Sequence, residues 1–224
     1  MKIIRIAPRL TDPDAAVRVF CARTLKLPAA VELVYAPFVL FRYAVEMTRF
    51  RGEKKAYEGL FLADLIQGGP MNVPRGTRFE VGPGLEDEFS RLIPHVEGSE
   101  NGRTSVIRLE TGRVSEAQVL PALMEREGAM ARGKKLLRYD LMRLAGGLRH
   151  RRLDITLLPG EQIIYYPLWL VYYRRRGGEV AFRVVDAVTG RREGGDLARS
   201  IAMGLVGKRP AGQAPEFSQG AHPR

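Results

Sequence analysis

The chain has 224 residues, 45% of them hydrophobic and 27% charged, which is enough apolar material for one substantial core or two small ones. A net charge of +11 and a pI near 10.1 favour polyanionic partners: nucleic acid, an anionic membrane surface or an acidic protein. No apolar run reaches the roughly 18 residues that span a bilayer, and Arg5, Arg9 and Asp12 cut the N-terminal apolar stretch too short for a secretion signal; the expected location is cytoplasmic, with the periphery of a membrane as the alternative.

In chain order, residues 3–6 predict a strand and the segment after Thr11 a helix. Thr11 is placed to cap that helix and Pro13 stands in its first turn, where a missing N–H costs nothing. Cys21 is the single cysteine, so an intrachain disulfide and a cysteine zinc site are excluded. Its neighbours Val19, Phe20, Ala22 and Leu25 predict a buried helical thiol. The run ELVYAPFVLFRY at 32–43 is apolar on both faces and rich in β-branched and aromatic residues. That is the pattern of a central strand covered on two sides. Pro37 cannot donate to a ladder and predicts a bulge or a change of pairing. Asp64, with Gly68 four residues on, predicts a turn: a carboxylate that binds the N–H groups ahead of it and a glycine that accepts positive φ.

Residues 70–103 form a Gly/Pro-rich connector. Within and just beside it, a short strand is expected near 77–81 and a short helix near 85–93, with Glu86, Asp87 and Glu88 favourably placed in its first turn.

The second half repeats the first. IIRIAPRLTDPDAAV at 3–17 resembles VIRLETGRVSEAQVL at 106–120, with Arg108 matching Arg5 and Ser115 matching Thr11. QIIYYPLWLVYY at 162–173 aligns without gaps to 32–43, so Tyr165 matches Tyr35 and Pro167 matches Pro37. Asp186 and Gly190 then repeat Asp64 and Gly68. The expected fold class is α+β: two diverged β-α-β-β repeats packed as one pseudo-symmetric domain, each burying the apolar sheet face of the other. The first repeat would occupy 1–69 and the second 104–206. The second would carry an inserted basic helix at 121–152 and a terminal helix at 197–206. Residues 207–224, polar and Gly/Pro-rich, would be a disordered tail.

Between 126 and 152 lie nine Lys and Arg residues and two acids, Glu127 and Asp140, a net of +7 out of the +11. Leu136, Leu137, Leu141, Leu144 and Leu148 recur at helical spacing. Such a helix can lie on a membrane, bind nucleic acid or pack with a solvated outer face. Exposed leucines would favour the membrane; leucines buried beneath a layer of cations would favour nucleic acid. The candidate polyanion-binding residues are Arg132, Lys134, Lys135, Arg138, Arg143, Arg149, Arg151 and Arg152, joined by Arg174, Arg175 and Arg176 at a hairpin tip. The last three follow Tyr165, Tyr166, Trp169, Tyr172 and Tyr173, an aromatic group able to stack on bases or fill a core.

Catalytic and metal chemistry find little support in the residues. His95, His150 and His222 have no partner at metal-ligand spacing. Asp64 and Asp186 would form an acid pair only if their turns met. No catalytic residue, metal or cofactor is expected. The segment EVAFRVVDAVTGR at 179–191 resembles the closing strand of PepSY-type modules, which implies binding rather than catalysis. The doubled Tyr-x-Pro strand is also similar to uncharacterised bacterial proteins. The expectation is a non-enzymatic binding or adaptor protein with a polyanionic partner. Alternatives are a protein–protein assembly subunit that uses the aromatic sheet, and an enzyme of unrecognised type.

Overall fold

The computed structural model describes residues 1–22, 24, 26–49, 54–72, 77–90, 92, 106–144 and 150–208. It is a mixed α+β structure: one large mixed sheet and four helices. The strands are β1 (Lys2–Ile6), β2 (Pro28–Arg49), β3 (Lys54–Asp64), β4 (Pro70–Asn72), β5 (Arg78–Val81), β6 (Val106–Arg113), β7 (His150–Arg174) and β8 (Val180–Asp186). The helices are α1 (Pro13–Cys21), α2 (Glu86–Phe89), α3 (Arg126–Leu144) and α4 (Gly195–Lys208), with a 3₁₀ turn at Glu116–Gln118. The strand order is β4-β3-β2-β7-β1-β6-β5, and β8 also pairs with β7. β1–β7 and β5–β6 are parallel, the other pairs antiparallel.

The two long strands β2 and β7 form the spine. They pair over almost their whole length, Ala36 opposite Tyr166, Tyr35 opposite Pro167 and Pro37 opposite Tyr165. The bulge expected at the prolines is absent; the ladder shifts instead at Pro28/Ala30, Leu40/Arg42 and Thr48/Arg49. The prolines do mark a change of outer neighbour. β2 pairs with β3 from Phe38 onward and with Val119 at Tyr35; β7 pairs with β8 from Leu168 onward and with Arg5 at Tyr165. Pro37 and Pro167 turn their carbonyls to these outer edges, where they accept from Leu65 N (2.9 Å) and Ala187 N (3.3 Å). A strand residue's N and C=O share a side, so the missing N–H takes nothing from the central ladder.

Side chains alternate across the spine. One face carries Val34, Ala36, Phe38, Leu40, Ile164, Tyr166, Leu168 and Leu170, covered by Leu85, Phe89 and Leu92 in and around α2 and by Ile201 of α4. The other face meets α3 through Val39, Phe41, Phe61, Ala129 and Leu137 and α1 through Ala16, Phe20, Trp169, Val171 and Tyr173. At Gly133 α3 comes so close to the sheet that a Cβ would stand 3.0 Å from Ala63 Cβ and 3.1 Å from Phe61. A glycine inside a helix costs about 1 kcal/mol in propensity, and here close packing offsets it.

Several sequence expectations are corrected. Helix α1 is capped by Asp12, whose Oδ1 accepts from Asp14 N, and not by Thr11. Cys21 is exposed, because the inward stripe of this nine-residue helix consists of Ala16 and Phe20 and Cys21 lies a further 100° round. Helix α3 begins at Arg126 and residues 150–152 already belong to β7, so 121–152 is not one helix. β1 and β6, matched in sequence, are hydrogen-bonded neighbours, Arg5 opposite Glu110. Gly52-Glu53, where the sequence predicts a hairpin turn after the first long strand, the end of the leucine stripe at Leu148, and the tail from 209 lie outside the described residues.

Candidate functional site

Helix α3 has six Lys and Arg residues against Glu127 and Asp140. Its rotation is fixed by Leu137, 1% exposed, and by Leu141, which packs partly into the same cluster. Leu136 is half-buried on the flank. Of the stripe, Leu137 and Leu141 thus pack toward the sheet and Leu136 does not join that cluster. Arg132, Lys134, Lys135 and Arg138 are exposed on what remains. Among the described residues no carboxylate forms an ion pair with any of the four. An excess of cations on one helix holds a local positive potential, which screening weakens but does not cancel.

Two clefts flank α3. One, of about 580 Å³, lies against β7 and is lined by Lys134, Lys135 and Arg138 facing Asp154 and Thr156. The other, of about 440 Å³, lies between α3, the turn after β3, and α4. Arg132, Leu136 and Tyr139 form its α3 wall, spaced so that they share a helix side; Arg199 and Asp196 stand on α4.

The floor of that second cleft is the Asp64 turn. Asp64 is 1% exposed and accepts from Ile66 N (3.0 Å), Gln67 N (2.6 Å) and Ser200 Oγ of α4 (2.7 Å). Gly68 closes the turn at φ +69°, and the stem of Arg132 lies against it. Asp186 builds the same turn: it accepts from Val188 N (2.7 Å) and Thr189 N (3.1 Å), and Gly190 sits at φ +66°. Its remaining partners are Thr189 Oγ1 (2.7 Å) and Tyr166 Oη (3.0 Å). The two carboxylates are three strand spacings apart across the sheet and four residues apart along it, roughly 19 Å. They cannot share a proton. Each fixes its own turn.

The other candidate cations fall elsewhere. Arg174, Arg175 and Arg176 are exposed at the β7–β8 hairpin, at the end of β7 remote from its contact with α3. Arg151 and Arg152 lie on β7, not on a helix; Arg143 is the penultimate residue of α3. Arg149 falls outside the described residues. The hairpin arginines 174–176 are therefore separate from the cations of α3. Arg175, Arg183 and Lys26 surround Tyr173, with Lys26 Nζ 4.2 Å from the ring centre. Burial pulls the Tyr173 phenol up, but Arg183, Arg175 and Lys26 outweigh it and hold it below 10.0.

The aromatic group is mostly core. Tyr166, Trp169 and Tyr173 are buried, and Tyr165 and Tyr172 half-buried. Tyr172 donates to Glu32 at 3.0 Å, and Trp169 Nε1 donates to Leu10 O at 2.7 Å. None is fully exposed. Among the described residues the exposed aromatic is Tyr139, at 69%. Sequence reasoning passed over it; its signal was an aromatic one position after Arg138 and seven after Arg132. Among the described residues no helix is long and apolar enough to cross a membrane.

Against this geometry the comparisons with known proteins add nothing: no family model, no curated protein and no solved structure matches the chain.

Proposed function

We propose that this protein binds nucleic acid, without catalysing a reaction, through the solvent face of α3. The observation that carries the reading is the combination, on one helix, of buried Leu137 with exposed Arg132, Lys134, Lys135 and Arg138. A helix that embeds in a membrane must keep its leucines free; this one buries Leu137, packs Leu141 partly beside it and offers cations to solvent. Arg174, Arg175 and Arg176 would serve as a second, separate contact.

The scaffold is proposed to be two diverged copies of one β-α-β-β unit about a local two-fold axis at Ala36 and Tyr166. Several paired observations support this. Phe38 stands opposite Asp64, and Leu168 opposite Asp186. Ala63 pairs with Pro70, and Val185 with Arg192. Arg9 and Leu10 donate to Ala187 O, as Leu123 and Met124 donate to Leu65 O. On this reading the counterpart of Arg5 is Val119, not Arg108, and α3 is the counterpart of α1 and not an insertion. β6 is then an added strand.

The test is binding of a labelled oligonucleotide by the full chain at low salt, repeated across a salt series. A slope of log K against log[salt] near −0.9 per phosphate neutralised is expected for duplex DNA. The triple change Lys134→Glu, Lys135→Glu and Arg138→Glu should flatten that slope by about two to three units. Anionic vesicles should bind far more weakly than the oligonucleotide. Undetectable oligonucleotide binding at low salt overturns the reading.

A further inference from the structure

We infer that the cleft between α3 and α4 receives one unpaired nucleobase, with Tyr139 as its stacking platform, so that the protein prefers single-stranded to duplex nucleic acid. The inference rests on the nucleic-acid reading above and deepens it.

A tyrosine left 69% exposed hides little apolar surface, and its ring is free to be covered by something else. Tyr139 stands on the wall of a cleft of about 440 Å³, within the range of pockets that enclose small ligands. Leu136, half-buried on the same side of α3, gives that wall an apolar strip beside the ring. Cations flank it. Arg132 is braced by Gly68 against the turn, and Arg199 projects from α4. Among the described residues Arg199 pairs with Asp196, fully exposed and 3.6 Å away. An exposed pair of this kind is worth little and exchanges readily for a phosphate. The cleft therefore combines a π-face and an apolar strip with two guanidinium groups. A base needs the first two, and the phosphates on either side of it need the third. Of the cleft's two acids, Asp64 is engaged by its own turn and Ser200 and Asp196 by Arg199. A stacked duplex cannot present a base to such a cleft without unstacking it, which is unfavourable. A single strand has no such cost.

The experiment measures fluorescence anisotropy of a labelled 12-nucleotide strand and of its duplex with the full chain at one low salt concentration. Three proteins are compared: the natural sequence, Tyr139→Ser and Tyr139→Phe. The single strand should bind on the order of tenfold more tightly than the duplex. Tyr139→Ser should remove that preference and leave duplex affinity unchanged, while Tyr139→Phe keeps it, because stacking uses the ring and not the hydroxyl. A further variant, Tyr139→Trp, should show indole quenching with the single strand and none with inorganic polyphosphate. Equal affinity for both forms, or a preference that survives Tyr139→Ser, overturns the base pocket and leaves charge-driven binding standing. Failure of both forms to bind overturns the pocket and the underlying reading together. Tyr139 lies on the surface, so the Ser variant should keep its circular dichroism and melting temperature, and this is checked alongside.

Discussion

Ala36 of β2 faces Tyr166 of β7 across the central ladder, and the smaller residue leaves the room that the larger one fills. The Tyr166 ring lies 5.7 Å from that of Phe38, and its hydroxyl donates to Asp186. Burial and the Asp186 carboxylate push the phenol well above its ordinary range, so Tyr166 stays a donor at all working pH values. Under the proposed two-fold, a tyrosine at 36 would point at Asp64 as Tyr166 points at Asp186. Ala36→Tyr alone should cost about 2 kcal/mol or more by overpacking, and Tyr166→Ala alone about 3 kcal/mol. The double exchange should cost much less than their sum in urea unfolding. Additive losses would count against the two-fold.

Asp186 is 3% exposed and accepts from two backbone N–H groups and two hydroxyls. Asp186→Ala leaves those donors buried and unpaired, and should destabilise by about 3 kcal/mol. Ser200→Ala removes one hydroxyl bond to Asp64 and should cost about 1 kcal/mol. Chemical denaturation checks both; a cost for Asp186→Ala no larger than for Ser200→Ala would contradict the turn's role as a structural anchor.

Glu193 is half-buried beside Asp186, and burial first, then the Asp186 charge, raises its carboxyl above 4.5, although Arg191 opposes the shift. A carboxyl with a raised native value binds its proton more tightly folded than unfolded. Stability is thus greatest below the unfolded value and falls as pH rises through the folded one. Glu193→Gln should raise the urea midpoint at pH 7 and leave it little changed near pH 4. A midpoint that drops at pH 7 would mean Glu193 is held by attraction and not by burial.

Leu137 and Leu136 are adjacent on α3 but differ in burial. Leu137→Ala should cost about 3 kcal/mol, the usual loss for a core leucine, and Leu136→Ala under about 1 kcal/mol. Equal costs would mean that α3 is rotated from the arrangement found here, and the cationic face with it. Gly133→Val should cost about 2 kcal/mol, because overpacking against Ala63 and Phe61 exceeds the helix propensity regained.

The residues themselves determined the spine, the two Asp turns and the presence of a basic helix. Runs such as 32–43 and 162–173 are apolar on both faces and rich in β-branched and aromatic residues, the pattern of central strands, and an Asp followed by Gly four residues on closes a turn with bonds made inside its own span. Such signals are local, so they survive without knowledge of the neighbours. The start of the second half was not legible in this way. At Val119 and Leu120 the strand character amounts to one bridge to Tyr35 and one bond to its carbonyl, which two residues cannot announce by periodicity. The sequence match therefore settled on β6, whose own alternation is clear. Tertiary structure also decided how each helix is turned. Nothing in the order of residues around Cys21 or Tyr139 says which flank the sheet will take. That is fixed when Phe20 and Leu137 find buried places, which leaves Cys21 in solvent and opens Tyr139 to the cleft between α3 and α4.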